Sequence, residues 1–519
     1  MNTTEFLTIA NAIVPDRTAI VFEGKQFTFS DLNERSNRLA NALAGLGIKK
    51  GDRVAMLQVN CNEYVEAYYA VAKLGAIFVP LNFRAKENEL THMLKHSEAQ
   101  AILTGKRYAD MVKEMSKSLP LLKRYICIEG GADGMFDYEK ILADASPEDV
   151  FADVGDEDVT ILMYTAGTTG LPKGVPLRHK SFTIYMLENV TPVDPDIEET
   201  NLLTMPLYHV AGIQAMLAAT YGGRATALMR QFDTDEWLQT VQKEKANRAM
   251  LVPTMLKRIV DHPDFKKYNL SSLKVITYGA APMPFEVIKK AIDLFPGVSF
   301  INAFGQTETA STITALGPED HVIVGTEEER EKKLRRLTSS IGRPMPDVEV
   351  KIVGEDGREQ PPGEVGEIVA RGPRIMGGYW NDPEKTAKTL TKDGWLRTGD
   401  MGFKDEDGYI FLIGRGDDLI IRGGENISPE EIENVLYTHP AVDEVAVIGV
   451  PDPEWGQEVM AVIVLKKGVK TTAEEISEYC RKNVASFKRP RYVDFTKELP
   501  RTSTGKILKR VLRDTYGKK

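Results

Sequence analysis

Cysteine is scarce in this chain of 519 residues, which has only three, at positions 61, 127 and 480. The three positions are far apart, no two of them form a Cys-x-x-Cys pair, and their odd number does not suit a disulfide framework. This usage favours a reducing compartment, and we expect a cytoplasmic protein.

The chain has no excess of basic residues and no long apolar run. Its 66 Lys and Arg against 75 Asp and Glu give a net charge of −9, which argues against wholesale binding to nucleic acid or anionic membranes. The longest stretch without a formal charge, residues 201–223, is interrupted by Pro206, His209 and Gln214, so we predict buried core and no integral membrane segment. The amino terminus lacks a basic segment followed by an apolar block, and we expect no secretory signal.

The length exceeds what one core accommodates, so we expect at least two domains. Residues 52–82 read as a short apolar run, a helix-period segment and a second apolar run, the pattern of a βαβ unit. Similar alternation recurs as far as residue 298, which predicts an α/β fold with mostly parallel sheets covered by helices. After about residue 340, strands joined by Gly and charged turns predict smaller antiparallel sheets.

Two further segments have helix signals. Ser428, Pro429 and Glu431 fit the cap, the first position and the third position of a helix that should end near Pro440. The charge run of residues 327–337 predicts a solvated helix or a flexible insertion.

Several common catalytic motifs are missing. The Gly-rich stretch "MYTAGTTGLPKGV", residues 163–175, is not a Walker loop, because Lys173 follows Pro172 and precedes Gly174. The chain has no G-x-S-x-G elbow. His92 and His96 lie one helical turn apart without the glutamate of a zinc protease, so we expect a helix-surface pair.

The same stretch nevertheless suits a polyphosphate. Glycines let backbone N–H groups approach anionic oxygens, threonine hydroxyls donate, and Lys173 adds a positive charge. It closely resembles the signature loop of the adenylate-forming superfamily, which includes acyl-CoA synthetases, firefly luciferase and the adenylation domains of peptide synthetases, although Ala166 stands where the family usually has Ser. The resemblance implies that ATP is bound by Thr165, Ala166, Gly167, Thr168, Thr169, Gly170 and Lys173.

Other stretches resemble family motifs in the same order along the chain. "NAFGQTET", residues 302–309, is similar to the aromatic-Gly-x-Thr-Glu motif. By this resemblance Phe304 stacks near adenine, Thr307 contacts phosphate, and Glu308 binds Mg²⁺, with Thr165 as a further metal contact. A carboxylate suits Mg²⁺, which prefers one or two carboxylates together with phosphate oxygens. The neighbouring positions expected at ATP are Asn302, Ala303 and Gly305.

Two more motifs are assigned to the nucleoside. "ITYGAAPMP", residues 276–284, resembles the turn that wraps adenine, which implies contacts from Gly279, Ala280 and Ala281. "WLRTGDMG", residues 395–402, resembles the Thr-Gly-Asp motif, in which Asp400 accepts from both ribose hydroxyls. Arg415 is the expected second ribose contact, and Asp417 occupies the family's hinge position.

The last motif, "PRTSTGKILKR", residues 500–510, resembles the family's catalytic-lysine segment. The resemblance implies that Lys506, with Thr307 and Glu308, is catalytic, and that Lys506 also contacts ATP. An ammonium group there would reduce the repulsion between the carboxylate and the α-phosphate, an effect of about 3 kcal/mol or more.

The resemblance also implies the domain organisation and the second half-reaction. We expect a large adenylation domain over residues 1–416, built of helix-covered mixed and parallel sheets with a β-barrel-like region, and a small α+β domain over residues 417–519 that rotates about the hinge. Coenzyme A is the expected acceptor, approaching "RGGENISPEEIE" through Gly423, Gly424 and Glu425. Lys488, Arg489 and Arg491 are candidates for its phosphates or belong to a solvated loop.

The acid is the least determined part of the prediction. By family position, residues 207–214, residues 278–281 and Ala303 line the acyl pocket, and His209, Gly212, Tyr278 and Gly279 contact the acyl group. No Arg or Lys in these segments could pair with a second carboxylate. We therefore expect ligation of a monocarboxylic acid to coenzyme A, with ATP and Mg²⁺, releasing AMP and pyrophosphate. A medium- to long-chain fatty acid is favoured, an aromatic or alicyclic acid is the alternative, and a noncatalytic ATP- or acyl-adenylate-binding protein is the rival of another class. A homodimer is left open.

Overall fold

The computed structural model describes residues 1–150, 152–165, 171–423, 425–501 and 507–517, without the side chain of Asn426. The helices are α1 Thr4–Ile13, α2 Phe29–Gly45, α3 Asn62–Lys73, α4 Glu87–His96, α5 Ala109–Ser116, α6 Tyr138–Ala143, α7 His179–Asn189, α8 Val210–Tyr221, α9 Thr234–Glu244, α10 Pro253–Val260, α11 Phe285–Leu294, α12 Glu327–Ser339, α13 Pro383–Thr389, α14 Pro429–Tyr437, α15 Ala473–Asn483 and α16 Lys509–Tyr516.

The strands alternate with these helices in the first half of the chain and follow one another directly in much of the second. They are β1 Thr18–Phe22, β2 Lys25–Thr28, β3 Arg53–Leu57, β4 Ile77–Pro80, β5 Ala101–Thr104, β6 Arg124–Cys127, β7 Phe136–Asp137, β8 Val159–Thr165, β9 Lys173–Arg178, β10 Thr200–Leu203, β11 Ala225–Leu228, β12 Arg248–Leu251, β13 Val275–Gly279, β14 Ser299–Gln306, β15 Ser311–Leu316, β16 Ser340–Pro344, β17 Glu349–Val353, β18 Gly366–Arg371, β19 Leu396–Lys404, β20 Ile410–Arg415, β21 Ile420–Arg422, β22 Glu425–Ile427, β23 Val442–Asp452, β24 Gly456–Leu465 and β25 Tyr492–Phe495.

One sheet has the order β7-β6-β5-β3-β4-β8-β9 and is parallel except at β9. The predicted βαβ unit is confirmed, since β3 and β4 are parallel neighbours joined through α3. Antiparallel pairing of β8 with β9 places Thr165 opposite Lys173, so the two ends of the Gly-rich motif are held together by the sheet.

A second, larger sheet has the order β17-β18-β19-β20-β16-β15-β14-β13-β12-β10-β11-β1-β2. Its strands β10 to β14 are parallel neighbours, so their carboxyl ends meet at one edge. The predicted smaller antiparallel sheets after residue 340 are confirmed in part. Strands β16 to β20 continue this large sheet, whereas β21 and β22 form a separate antiparallel pair and β23, β24 and β25 form another separate sheet, in which only β25 is parallel to its neighbour. Pairing between β15 and β16 joins the two parts.

The hydrophobic clusters fall into two groups, and the boundary between the groups along the chain is the start of β21. Clusters built from residues up to 412 cover the two large sheets, and two further clusters are built from residues 420–516, on β23, β24, α14, α15 and α16. The fold is therefore α/β, with a large N-terminal domain of mixed sheets and helices and a small C-terminal domain. In the described part of the chain no helix is both long and apolar enough to cross a membrane.

Both helix predictions of the second half are confirmed with small differences. The charge run forms α12, capped by Thr326, whose hydroxyl accepts from the Glu329 N–H while the Glu329 carboxylate accepts from the Thr326 N–H. Helix α14 begins after Ser428 as expected and ends at Tyr437. Its predicted reciprocal cap is only half formed, because the Glu431 carboxylate binds Lys488 Nζ at 2.7 Å.

Candidate active site

The Gly-rich motif and the acidic motif meet at one tyrosine, although they are far apart in the sequence. Lys173 Nζ lies 5.1 Å from the centroid of the Tyr379 ring, and the Tyr379 hydroxyl donates to Glu308 Oε1 at 2.8 Å. Thr165 is the last residue of β8, opposite Lys173. The predicted phosphate-loop residues 166–170 lie outside the described residues, so their roles stay predictions.

The segment that carries this tyrosine is bonded to both motifs through its backbone. The Met376 N–H donates to the Glu308 carbonyl at 2.9 Å, and the Trp380 N–H donates to the Gly174 carbonyl at 2.8 Å. Burial and the neighbouring Glu308 carboxylate raise the pKa of Tyr379, which keeps its hydroxyl protonated as a donor. The sequence "GGYW" has no recognised spacing, so sequence reasoning missed Tyr379.

The half-buried Glu308 is the carboxylate that fits a magnesium ion bound mainly by phosphate. Among the described residues, no group of three or more His, Cys, Asp or Glu could hold a metal by itself. Glu308 is a single carboxylate that shares its tyrosine neighbour with Lys173. It therefore suits a cation that arrives bound to a polyphosphate, which supplies several of the cation's oxygen ligands.

At the carboxyl ends of the parallel strands lies a cavity of about 220 Å³, called here the strand-end cavity. The large domain contributes residues 279–284, residues 302–306, Asp400 and Arg415 to its lining. This set contains every position that the sequence assigned to adenine and ribose. Three motifs that begin at residues 276, 302 and 395 therefore line one cavity.

Asp400 is buried and held from two sides in this cavity. Its Oδ1 is 2.8 Å from Arg415 Nε, and its Oδ2 accepts from Gln306 Nε2 at 2.8 Å. Each carboxylate oxygen has two lone pairs, so a carboxylate is able to accept hydrogen bonds from more than one donor. Gln306 also donates to the Thr398 carbonyl at 2.8 Å, which fixes the amide, and its role was not predicted.

The turn after β13 is shaped for close approach of a ligand to the backbone. A Cβ on Gly279 would lie 2.1 Å from the Ala303 carbonyl oxygen, so only glycine permits the observed packing of β13 on β14. Ala280 follows with φ of +66°, a left-handed conformation that costs a non-glycine residue of order 1 kcal/mol. Such strain clusters at ligand sites, and here the strained residue lines the cavity.

The small domain closes the other side of the strand-end cavity. Glu433 on α14, Val445 on β23, and Arg501 and Ile507 line it. Arg501 and Ile507 form an isolated antiparallel bridge, and they flank the segment that contains Lys506. Lys506 itself lies outside the described residues, and its catalytic role stays a prediction.

A charged pair joins the two domains at this cavity. Lys257 on α10 lines the cavity and binds Asp443 of β23, and it is also 3.4 Å from Asp261 within its own domain. Burial opposes charging of Lys257, but the two carboxylates raise its pKa above the ordinary value. Asn434 of α14 donates to the Thr338 carbonyl at 3.4 Å.

A second cavity of about 480 Å³, called here the sheet-face cavity, lies between α8 and one face of the large sheet. Along β12, β13 and β14, the half-buried Met250, Thr277 and Ile301 are register neighbours that line it. The alternate residues Ile276 and Phe300 are fully buried on the opposite face. Ala303 lines both cavities, so the sheet-face cavity adjoins the strand-end cavity.

None of the four predicted acyl contacts lines the sheet-face cavity. The Tyr278 side chain lies on the opposite sheet face, within hydrogen-bond distance (2.8 Å) of His321 Nε2. A Cβ on Gly212 would lie 2.3 Å from the Pro206 carbonyl oxygen, so this glycine allows α8 to pack on the preceding turn. His209 caps α8 by accepting from the Ala211 N–H. These positions do not support the acyl-binding roles, whereas Gly279 lines the strand-end cavity.

Two arginines at the far end of the sheet-face cavity were not predicted from the sequence. Arg224 and Arg248 line it and share one carboxylate, since Glu199 Oε2 is 2.8 Å from Arg248 Nε and 3.5 Å from Arg224 Nε. Burial lowers the pKa of Arg224 to about 10. The segments first assigned to the acyl group contain no Arg or Lys, but β12 and the turn before β11 supply these two.

The positions predicted for coenzyme A lie away from both cavities in this arrangement. Gly423 and Glu425 are exposed at the β21–β22 turn, and Gly424 lies outside the described residues. A Cβ on Gly423 would lie 2.7 Å from the Trp455 ring, which packs on this turn. The hinge candidate Asp417 is exposed between β20 and β21.

The basic candidates for the coenzyme A phosphates have protein partners. Lys488 binds Glu431 at 2.7 Å, and Arg491 lies 3.5 Å from Glu458. These contacts agree with the solvated-loop alternative as well as with a phosphate site.

The histidine pair is a surface feature of α4, as expected. The two rings stack with centroids 5.4 Å apart, and His96 Nδ1 lies 2.9 Å from the Tyr164 hydroxyl. His92 Nε2 lies 3.2 Å from the Pro172 carbonyl oxygen. The pair therefore supports the strand and turn that flank the Gly-rich motif.

Comparison with known proteins agrees with this geometry. Residues 8–380 match the AMP-binding enzyme family, and residues 431–506 match the AMP-binding enzyme C-terminal domain. A feruloyl-CoA synthase of Amycolatopsis sp is 37% identical over 504 residues, with 97% of this chain and 96% of that protein covered. The long-chain-fatty-acid–CoA ligase FadD13 of Mycobacterium tuberculosis is 34% identical over 494 residues, with 95% and 93% covered.

A solved structure extends the likeness to the whole fold. The anthranilate CoA ligase AuaEII, in complex with anthranoyl-AMP, superposes with a TM-score of 0.90 at 28% identity, over 99% of this chain and 97% of that one. The family matches and the relatives support ATP, coenzyme A and a small carboxylic acid as substrates. The chain belongs to the acyl-CoA synthetase family of the adenylate-forming superfamily and is an AMP-forming acid–CoA ligase that works through an acyl-adenylate.

Proposed function

We propose that the strand-end cavity binds ATP, that the sheet-face cavity binds a monocarboxylic acid with a largely apolar body, and that the two react beside Ala303. The observation that carries this proposal is that Ala303 lines both cavities, next to the close contact of β13 and β14. An acid in one cavity and a nucleotide in the other would therefore meet at one point, as an acyl-adenylate requires.

In the first half-reaction the acid carboxylate attacks the α-phosphate of ATP. Lys173 and the Gly-rich residues from Thr165 to Gly170 hold the phosphates. Glu308 and Thr165 would hold Mg²⁺, which would supply positive charge to neutralise the pyrophosphate leaving group. Lys506 brings a positive charge to the α-phosphate and the carboxylate, and its neighbours Arg501 and Ile507 at the cavity support that placement.

Adenosine is held by the motif residues that share the strand-end cavity. Asp400 and Arg415 bind the ribose, and residues 279–281 with Asn302 and Phe304 enclose adenine. The contacts of Asp400 with Arg415 and Gln306 fix the carboxylate before the nucleotide arrives. A carboxylate already oriented in this way binds the ribose hydroxyls at little cost in ordering.

In the second half-reaction the small domain, residues 417–519, rotates about Asp417. The present arrangement faces the cavity with Arg501 and Ile507, and it leaves Gly423 and Glu425 at the surface. Rotation would withdraw Lys506 and bring the turn of residues 423–425 to the adenylate, where its glycines admit the pantetheine arm. Coenzyme A then displaces AMP.

The sheet-face cavity favours an acid of moderate length. From Gly279 to Val275 the strand spans four residues, or about 13 Å, and the charged groups of Arg248 and Arg224 follow at the amino ends of the strands. A ring-bearing acid or a medium-length fatty chain fits this length better than a long chain does. The ring-bearing class agrees with two similar proteins, a feruloyl-CoA synthase and an anthranilate CoA ligase.

Acid-dependent ATP–pyrophosphate exchange, followed by thioester analysis with coenzyme A, tests the proposal. The panel contains cinnamate, benzoate, octanoate, palmitate and succinate. We expect exchange and thioester formation with cinnamate or octanoate above benzoate, palmitate and succinate. Exchange without thioester would overturn the acceptor, and succinate as the best substrate would overturn the acyl class.

The rival function, a noncatalytic binding protein, makes a different prediction in the same assay. Such a protein would bind ATP but release no AMP with any acid. Two features favour an enzyme over a noncatalytic binding protein. They are the charge of Glu308, which shares Tyr379 with Lys173, and the lysine motif at residue 506. Nucleotide binding alone needs neither of them.

A further inference from the structure

The two ends of the stretch 502–506, which contains the predicted catalytic lysine, are fastened to each other. Arg501 and Ile507 form an antiparallel bridge, and the Leu508 N–H donates to the Pro500 carbonyl at 2.8 Å. Ile507 also packs on the hydrophobic cluster of β23, β24 and α16. Both ends therefore have a fixed place on the small domain, although residues 502–506 themselves lie outside the described residues.

An ion pair holds the carboxyl end of this stretch. Lys509 begins α16, and its Nζ is 2.8 Å from Glu433 Oε1 on α14, with the two side chains 13% and 12% exposed. The same Glu433 oxygen accepts from the Val447 N–H of β23 at 2.7 Å. Burial raises the pKa of Glu433 and the charge of Lys509 opposes that rise, so this carboxylate depends on its partner for its charge. One carboxylate thus ties α16 to both α14 and β23.

A second ion pair holds the amino end of the stretch. Arg501 Nη2 is 2.8 Å from Glu444 Oε1 on β23, and both side chains are half-buried. This pair and the pair of Glu433 with Lys509 line the strand-end cavity. Removing one partner of a pair that is shielded from water leaves the other charge without compensation, so each end resists displacement.

The carboxylates in this wall of the cavity need an explanation. Two negative charges would repel the phosphates of ATP unless each of them has a positive partner. Each has one, and both partners come from the residues that flank the stretch 502–506. The charge pattern therefore supports a role in placing this stretch and not in binding the nucleotide.

A lysine that acts through its charge needs a well-placed backbone. Its side chain is long, and about 2 kcal/mol of rotamer entropy opposes ordering it. Electrostatic stabilisation of a transition state needs charges that are already in place, and a shift of about 1 Å can cost about a hundredfold in rate. The two ends of the stretch are the points at which the rest of the small domain holds it.

We propose that Glu433 and Glu444 are positioning residues for adenylation. Through their basic partners they fix both ends of the stretch 502–506 on the small domain, and this fixes the point at which Lys506 reaches the α-phosphate. The inference rests on the proposed function, since it concerns the step that is assigned there to Lys506.

The test separates the two half-reactions in variants of the full chain. Glu433→Gln and Glu444→Gln remove each charge but keep the side-chain size and an acceptor oxygen. We expect acid-dependent pyrophosphate exchange at saturating ATP to fall about tenfold in each variant, because the lysine is in its productive position less often. The loss in thioester formation from supplied acyl-adenylate should be at least about fivefold smaller, because that step does not use Lys506. Glu478→Gln, which breaks the exposed pair with Arg481 on α15, is the control.

A double-mutant cycle assigns the effect to the lysine. If the carboxylates act through Lys506, the tenfold effect of each Glu→Gln change should shrink below about twofold in the Lys506→Ala background. A change that only weakened the small domain would lower both half-reactions together and would add to the loss in Lys506→Ala. Thermal unfolding checks that each variant is folded, and the more exposed Glu444 carries the test if Glu433→Gln does not fold.

The outcomes distinguish this inference from the proposed function. Pyrophosphate exchange at the wild-type rate in both variants overturns the inference. Equal losses in the two half-reactions, or undiminished effects in the Lys506→Ala background, overturn it as well and leave the proposed function standing. Absence of exchange in the wild type with every acid of the panel overturns the proposed function itself.

Discussion

The strand-end and sheet-face cavities share Ala303 but are built in opposite ways. The strand-end cavity is lined by loops and turns whose residues stand in short motifs, and both domains contribute to it. The sheet-face cavity is lined by residues of β10 and β12 to β15, which alternate along β13 and β14, and by α7 and α8, all within the large domain. Chemistry common to the family is therefore readable in contiguous residues, whereas the choice of acid depends on residues scattered through the fold.

We expect the largest effect from removing Lys506, the lysine of the last motif in the strand-end cavity's set. In Lys506→Ala, acid-dependent pyrophosphate exchange should fall by at least about a hundredfold, because the charge that stabilises the adenylation transition state is lost. Thioester formation from supplied acyl-adenylate should be largely kept. The exposed Lys497→Ala is the control. Equal losses in both half-reactions would contradict the division of work between the two faces of the small domain.

Acidification tests how the buried His179 contributes to the free energy of unfolding. Burial lowers the pKa of His179 to about 4, and its Nδ1 accepts from the Thr3 N–H at 3.2 Å. The unfolded chain, with a histidine pKa of about 6.5, therefore takes up the proton first. This contribution to stability is complete above about pH 6.5 and is lost as the pH falls toward 4, by about 3 kcal/mol.

Urea unfolding at about pH 7.5 and about pH 4 measures that loss. His179→Asn, which keeps an acceptor for the Thr3 N–H and cannot ionise near neutral pH, should lose less free energy of unfolding between the two values. The same loss in the variant and the wild type would show that other groups carry the acid response.

Removing the charge of Glu308 tests the role of this carboxylate at the phosphates of the strand-end cavity. Glu308→Gln keeps an acceptor for the Tyr379 hydroxyl but removes the charge, so adenylation should fall by about a hundredfold and need more Mg²⁺. Removal of Mg²⁺ by a chelator should abolish adenylation in the wild type. The matched variant Tyr379→Phe keeps the carboxylate and should lose only several-fold. Equal losses in the two variants would mean that Glu308 acts by positioning Tyr379 and not through its charge.

The smallest effect is expected at the contact between the domains. Asp443→Asn removes the small-domain partner of Lys257, a pair that is partly exposed and worth about 1 kcal/mol at most. We expect adenylation to slow by up to about fivefold, with thioester formation from supplied adenylate unchanged. Asp261→Asn removes the partner of Lys257 within the large domain and is the control. An effect of Asp261→Asn as large as that of Asp443→Asn would argue against a role for the domain contact.

The fold class and the lining of the strand-end cavity could be predicted because each rests on local signals. Alternating strand and helix patterns indicated the parallel sheet, and Gly279, Ala303, Phe304 and Asp400 stand in motifs at strand ends. The continuity of the antiparallel strands with the large sheet could not be predicted, since it depends on long-range pairing of β15 with β16.

Several functional residues, most of them at the sheet-face cavity, could not be predicted from local sequence patterns. Arg248 is distant from the acyl motif in sequence, and strand register brings it to the cavity, whereas Arg224 follows the helix that the acyl motif begins. A strand alternates its faces, so the side chain of Tyr278 points away from the face of the lining Thr277, and its contact with the acyl group stays a prediction. Tyr379 was missed because its contact with Glu308 joins residues from separate parts of the chain.

A crystal structure with a non-hydrolysable acyl-adenylate analogue tests the central claim most directly. The account predicts the adenosine in the strand-end cavity, with its ribose hydroxyls on Asp400, and the acyl group passing Ala303 into the sheet-face cavity along Thr277 and Met250. An acyl group bound anywhere outside the sheet-face cavity, or a nucleotide away from Asp400, would contradict it.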